Sequence, residues 1–333
     1  MCPWREMRAA GGTMSWETFS RIRQYLHLAD GVDFTGGGEP TNNPRLIDML
    51  HSAKNAGCHT GFSTNGMRLS PGMSAALLDA GLDWISFSVD AATAEVYERI
   101  RRGASFEMVT RNIAALRDLK VVRGITHPRM MMVFVMMGGS QAAIENYHQL
   151  PQYLELAHRL GVEQVIAKNL DVILTDMDDE RRLFSHDGLP QKDVLDVISE
   201  AEGRAKSLGV GLRLYALQPQ ERAICEHNPL QSLYFSWDGY VSPCITLAYA
   251  SQRVFNGEQI SVPCQQFGNI HQESVEEIWV KSGYREFREM YSRRSRAEQE
   301  GMIDALLGRE AGEVLRMPPP PEGCRTCYYL YGI

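Results

Sequence analysis

Apolar positions along the first two thirds of the chain alternate between helical and strand spacing. Ser15 precedes Trp16, Phe19, Ile22 and Leu26, which share one helix face, and Gly31 is placed to stop that helix. The short run Val32–Thr35 reads as a strand and ends in Gly36-Gly37-Gly38-Glu39-Pro40. Asn43-Pro44 opens a second helical stripe through Leu46, Ile47 and Leu50, stopping at Gly57. The unit then repeats. Cys58–Ser63 is a strand, Thr64-Asn65-Gly66 a turn, and Ser70-Pro71 starts a helix that ends at Gly81. Trp84–Val89 is a strand ending at Asp90, and Phe106, Val109, Ile113 and Leu116 stripe the next helix. Arg129–Met137 is nearly all apolar, as expected of a parallel strand covered on both faces. A helix from Pro151 to Gly161, a strand Val162–Lys168, a helix Val194–Leu208 and a strand Val210–Tyr215 complete the series.

Repeated β-α units force right-handed parallel crossovers. The sheet is either doubly wound or barrel-like, and in both forms chemistry gathers at the C-terminal strand ends. Gly37-Gly38-Glu39, Asn65-Gly66, Ser88-Val89-Asp90 and Lys168-Asn169 stand there. The pattern changes near residue 216, which divides the chain into 1–215 and 216–333. In the second part, Leu233–Trp237 and Tyr240–Pro243 flank Asp238-Gly239, a preferred two-residue hairpin turn. Residues 285–316 are charged and helix-prone, and Pro318–Pro321 is a stiff spacer before Cys324-Arg325-Thr326-Cys327.

Charge narrows the function. Lys+Arg is 34 and Asp+Glu is 41, a net of −7, which disfavours sequence-independent binding of nucleic acid. The most apolar stretch, Met130–Met137, is far short of the ~20 residues of a membrane span, and the opening residues lack the apolar core of a signal peptide. The expectation is a cytoplasmic chain with no membrane partner. There, seven cysteines point to metal or catalysis rather than a disulfide frame.

Cys225 and Cys244, with the Cys324-x-x-Cys327 pair, supply four thiolates, enough for a tetrahedral metal or an iron–sulfur site. Cys264 is a fifth candidate, and Cys58, at a strand start, reads as inert core. No His-x-x-x-His pair occurs among the nine histidines, against a His-ligated catalytic metal. Glu39 offers a carboxylate to an ammonium group beside a glycine run that lets a ligand approach the backbone. With Asn65, Ser88 and Asp90 it forms a polar rim for a small amphipathic molecule.

These residues resemble the radical S-adenosylmethionine (SAM) superfamily. Phe34-Thr35-Gly36-Gly37-Gly38-Glu39-Pro40 is similar to its Gly-Gly-Glu motif, and Ser63-Thr64-Asn65-Gly66 and Phe87-Ser88-Val89-Asp90 to its next two strand ends. Trp237–Cys244, Phe267-Gly268-Asn269-Ile270 with Ile278-Trp279, and Cys324-x-x-Cys327 resemble the SPASM/Twitch auxiliary-cluster domain. The resemblance implies a partial (β/α)6 TIM-like barrel followed by a small hairpin/helix iron–sulfur domain. It also implies a catalytic [4Fe–4S] cluster on Cys-x3-Cys-x2-Cys, bound SAM, and a 5′-deoxyadenosyl radical that abstracts hydrogen. Gly37, Gly38 and Glu39 would hold the methionyl amine, with Asn65, Ser88 and Asp90 near the ribose and carboxylate.

Two departures stand out. Cys2 resembles the third triad cysteine, so the first two, and the barrel's first strand before them, are expected upstream of Met1. With one thiolate, the 333 residues are expected to be inactive. Ile245 stands where many relatives carry another cysteine, favouring one auxiliary cluster, on Cys225, Cys244, Cys324 and Cys327. The implied partners are a peptide or small-metabolite substrate and a reductant such as flavodoxin or ferredoxin. The alternative is a non-catalytic binding protein with structural zinc or an iron–sulfur site.

Overall fold

Local chemistry starts each element of the first part. In the computed structural model, which describes residues 11–138, 145–184, 190–307 and 317–333, the Ser15 hydroxyl accepts the Thr18 N–H and caps α1 (Trp16–Arg23). The chain leaves that helix at Gln24 through a 3₁₀ turn, Leu26–Leu28, so Gly31 is not a helix stop but the first residue of β1 (Gly31–Asp33). There follow α2 (Leu46–Asn55), β2 (His59–Thr64), α3 (Pro71–Asp79, capped by Ser70) and β3 (Trp84–Ser88). Then come α4 (Ala94–Ile100), α5 (Phe106–Arg123, capped by Ser105), β4 (Arg129–Met136) and α6 (Leu150–Arg159). β5 (Gln164–Asn169), the short α7 (Asp176–Asp179), α8 (Lys192–Leu208) and β6 (Gly211–Leu214) complete it. The helix α4 carried no signal in the periodicity.

The six strands form one parallel sheet in chain order, β1 to β6. Their helix-facing side is a dry core in which Phe62, Phe87, Met132, Phe134 and Val165 meet Leu50, Leu77, Ile113, Leu116 and Leu154. β4 corrects the expectation of two covered faces. Met130, Met132, Phe134 and Met136 are buried, while Met131, Val133 and Val135 are only half-buried, because they line the opposite, inner face. The register lays that inner face out in rows: Ser63, Ser86 and Met131; then Ser88, Val133 and Ile166; then Val135 and Lys168. A polar and thinly covered inner face is what a barrel-like sheet needs in order to hold a ligand.

The second part packs against the first instead of hanging from it. β7 (Tyr234–Phe235) and β8 (Tyr240–Ser242) pair antiparallel, but their loop is longer than a two-residue turn: the Gly239 N–H closes on Ser236 O, with Gly239 at φ +90°. β9 (Ser251–Phe255) and β10 (Glu258–Val262) form a second hairpin, and β11 (Gly268–Asn269) adds to β8. α9 (Val275–Val280) starts with a capping box, Ser274 with Glu277, and α10 (Ser282–Leu306) is long and charged. A separate apolar cluster of Leu170, Ile173, Phe184, Val254, Tyr328 and Ile333 joins the loop after β5 to the chain's end. Gln220 and Arg222 donate their N–H groups to Tyr331 and Leu330, tying the exit of the first part to that end as well. Among the described residues no helix is long and apolar enough to cross a membrane.

Candidate functional site

The first group of polar residues sits at the C-terminal ends of β1 to β3. The Glu39 carboxylate is a brace there. Its Oε1 accepts from Thr41 N–H (3.2 Å), Thr41 Oγ1 (2.7 Å) and Thr64 Oγ1 (2.7 Å), and its Oε2 from Asn65 N–H (2.8 Å). The glycine loop is thereby tied to the end of β2. An ideal Cβ on Gly36 or Gly38 would point into open space, so the loop leaves room above its backbone. Gly66 turns the chain at φ +73°, and a Cβ there would press on Val109 at 3.1 Å. The Asn65 Oδ1 accepts the Met67 N–H in that turn.

Ser88 lies half-buried on the inner face of β3. Asp90 is not on the rim. It is fully buried behind it, with Oδ1 accepting Val135 N–H (3.0 Å) and Oδ2 facing Arg101 Nε (2.6 Å). Its partner Arg101 keeps 25% side-chain exposure. Arg101 carried no sequence signal beyond lying in a charged segment, and only the fold pairs it with Asp90.

At the end of β5, Lys168 pairs with the Asp171 carboxylate and lies 3.4 Å from Tyr329 Oη. Burial opposes the charge on each member of that pair, but their mutual attraction outweighs it, so Lys168 is held above and Asp171 below the ordinary value. Tyr329 is two residues past Cys327, so this pair joins the mouth of the sheet to the cysteines. Tyr215, just past β6, donates to Glu226 at 2.5 Å and makes the same connection one strand further on.

The cysteines form the second group. Cys225, Cys244, Cys324 and Cys327 line one cavity, brought there by three separate segments. Cys225 opens a turn closed by Asn228 N–H to its carbonyl, and Cys244 stands two residues past the end of β8. Cys324 and Cys327 are drawn together by the Cys327 N–H to Cys324 O bond (3.1 Å). The walls between them are mostly apolar: Leu247, Phe287, Leu330 and the fully buried Tyr291. Gly323 lies close under Leu247, whose Cδ2 would stand 2.8 Å from a Cβ there and have to shift. Arg294, fully buried in α10, holds the frame by donating to the carbonyls of Ala223 (3.1 Å), Arg222 (2.7 Å) and Pro318 and to Glu221 (2.8 Å).

Burial pushes all four thiols up, Cys327 to about 12. Protonated, they are neutral in an apolar pocket, and a metal centre would displace those protons. Four thiolates from three segments are the soft donor set that an iron–sulfur cluster or a zinc ion takes. Cys264 is exposed, donates to Ala248 O (3.2 Å) and does not line the cavity. Cys58 is buried core, as expected, its thiol directed at Leu26 O and Ala29 O (both 3.3 Å). Cys2 lies outside the described residues.

Comparison with known proteins gives two partial family matches. The pattern of the Radical SAM superfamily matches residues 2–139, and that of SPASM, an iron-sulfur cluster-binding domain, matches residues 225–328. The tungsten-containing aldehyde ferredoxin oxidoreductase cofactor-modifying protein of Pyrococcus furiosus is 27% identical, over 86% of this chain and 78% of its own. Mycofactocin maturase MftC of Mycobacterium tuberculosis is 32% identical over 38% of this chain and 29% of its own. In fold, the chain is similar to Streptococcus suis SuiB bound to the precursor peptide SuiA, with TM-score 0.58 and 11% identity over 98% of this chain and 65% of that one. The chain thus spans less than two thirds of SuiB and under a third of the mycofactocin maturase.

Proposed function

We propose that this chain, which belongs to the radical SAM superfamily and carries a SPASM-type iron–sulfur domain, serves hydrogen abstraction from a peptide or small-metabolite substrate. SAM and [4Fe–4S] clusters are the cofactors its two domains imply. When bound, SAM and a reduced cluster would together supply a radical able to take a hydrogen atom from the substrate. The boundary is placed at residue 216: 1–215 for SAM, 216–333 for the auxiliary cluster.

The chain's own residues divide the work. Gly37 and Gly38 offer backbone without side chains to the methionyl amine. Glu39 holds that backbone in place, and its Oε2, which accepts one N–H, has a second lone pair for the ammonium group. Asn65 and Ser88 stand at the neighbouring strand ends, and Asp90 acts through Arg101, which it holds by an ion pair. The Lys168–Asp171 pair and Tyr329 stand where a substrate would reach between the sheet and the cysteines. Cys225, Cys244, Cys324 and Cys327 would hold the auxiliary cluster, and Cys2 one iron of the catalytic one. A reductant such as ferredoxin or flavodoxin would supply electrons.

The observation that carries this reading is the meeting of four cysteines from three segments in one cavity beside the open ends of a parallel sheet. The test is anaerobic reconstitution of the 333-residue chain with iron and sulfide, followed by iron, sulfide and zinc analysis. About four irons bound by the C-terminal cysteines support it. Zinc alone, with no sulfide, would establish the structural-zinc alternative.

A further inference from the structure

Three basic side chains are buried among the described residues: Lys120, Arg253 and Arg294. Lys120 is compensated by Glu163 at 3.2 Å and Arg294 by Glu221 at 2.8 Å. Arg253 differs. It is 5% exposed, its Nε donates to Ser251 Oγ (2.8 Å) and its Nη2 to the Thr246 carbonyl (2.5 Å), and among the described residues no carboxylate pairs with it. Neutral acceptors satisfy its hydrogen bonds but not its charge. A buried charge without a counter-charge is costly, so its retention calls for an anion nearby.

The anion's place can be read from what Arg253 holds. Thr246 lines the cysteine cavity, and its Oγ1 lies 3.0 Å from Cys244 Sγ. Arg253 therefore sits directly behind the turn that carries Cys244. An oxidised [4Fe–4S] cluster on four thiolates is a dianion, and one-electron reduction makes it a trianion.

We propose that Arg253 is the built-in counter-charge of an anionic centre held by Cys225, Cys244, Cys324 and Cys327, and that it raises that centre's reduction potential. This rests on the cavity being a cluster site. It follows that Arg253 burdens the empty protein and stabilises the loaded one, with the larger gain for the more negative, reduced form.

The full chain, reconstituted anaerobically, tests this by redox titration with dithionite, followed by electron paramagnetic resonance. Cys324→Ala/Cys327→Ala identifies the signal that belongs to this cluster. In Arg253→Met the ratio of reduced to oxidised cluster at the wild-type midpoint should fall about tenfold, which is ~59 mV for one electron. Arg253→Lys, which keeps the charge, should stay within about threefold. A structural role alone would not separate the two variants in this way. In urea, metal-free Arg253→Met should unfold at or above the wild-type midpoint, while loading with the cluster should stabilise it less than wild type. If Arg253→Met is insoluble, Arg253→Gln, which keeps a donor for Thr246 O, takes its place with the same expectations. A neutral variant that titrates at the wild-type potential would overturn the proposal while leaving the cluster site intact. A wild-type chain that takes up no iron and sulfide would instead overturn the cluster reading itself.

Discussion

Replacing Glu39 with Gln exchanges one carboxylate oxygen for an amide NH₂, and the site has no good place for it. At the Oε1 position the NH₂ would meet three donors: Thr41 N–H, Thr41 Oγ1 and Thr64 Oγ1. Thr64 Oγ1 already accepts the Gly66 N–H at 3.1 Å, so it is not easily turned. At the Oε2 position the NH₂ would meet only the Asn65 N–H, which is the less costly choice. The loss is then one charge-assisted bond, worth ~1.5–3 kcal/mol, plus a weakening of the other three from charged to neutral. Rehydration of a half-buried site returns part of this, leaving an expected destabilisation of about 2–3 kcal/mol. A urea titration of the full chain measures it. A double-mutant cycle with Thr64→Val should return a coupling of about 1 kcal/mol, since the two side chains touch. SAM affinity, measured by calorimetry on a cluster-loaded protein, should also fall about tenfold or more. An unchanged urea midpoint together with lost SAM binding would refute the brace and leave Glu39 a ligand only. An unchanged midpoint and unchanged affinity would remove Glu39 from both roles.

Other outcomes follow from the same structure. Cys324→Ala/Cys327→Ala should lose the roughly four irons of the auxiliary site, read by iron and sulfide analysis; retention of those irons would exclude both as ligands. Arg294→Met leaves the Glu221 carboxylate and three carbonyls without their buried donor, so it should cost roughly 3–5 kcal/mol and lower cluster uptake. Lys168→Met strands Asp171 and should destabilise the chain by ~3 kcal/mol, whereas Lys168→Met/Asp171→Leu should recover most of that loss in a urea titration. For Asp83, burial acts to raise the carboxyl, but hydrogen bonds from Lys54 Nζ and Thr60 N–H outweigh it and hold it below the ordinary value. A lowered folded pKa gives stability that is present above the unfolded value of ~3.9 and lost as pH falls through the folded one. The stability gap between wild type and Lys54→Met should therefore be full near neutrality and shrink below about pH 4.

The sequence by itself determined most of the alternating strands and helices of the first part, though not α4. Helix caps at Ser15, Ser70 and Ser105 and short apolar strands are local signals, fixed by hydrogen bonds and side-chain spacing within a few residues. The cysteine set was legible for a related reason: Cys-x-x-Cys is a local motif, and Cys225 and Cys244 were the remaining cysteines beside a recognisable hairpin. Tertiary structure decided which side chain meets which. Asp90 and Asn65 both stand at strand ends, yet the Asp90 side chain turns inward to Arg101 while Asn65 gives its backbone N–H to Glu39 and its side chain to the Met67 turn. The apolar run of β4 hid an alternation, since methionine and valine serve a dry core and a half-open inner face equally well. Cys264 was left as a fifth candidate, and only the path of β9 and β10 puts it outside the cavity. Arg253 gave no signal, because a buried charge is defined by its neighbours, and those come from segments that meet only when the chain folds.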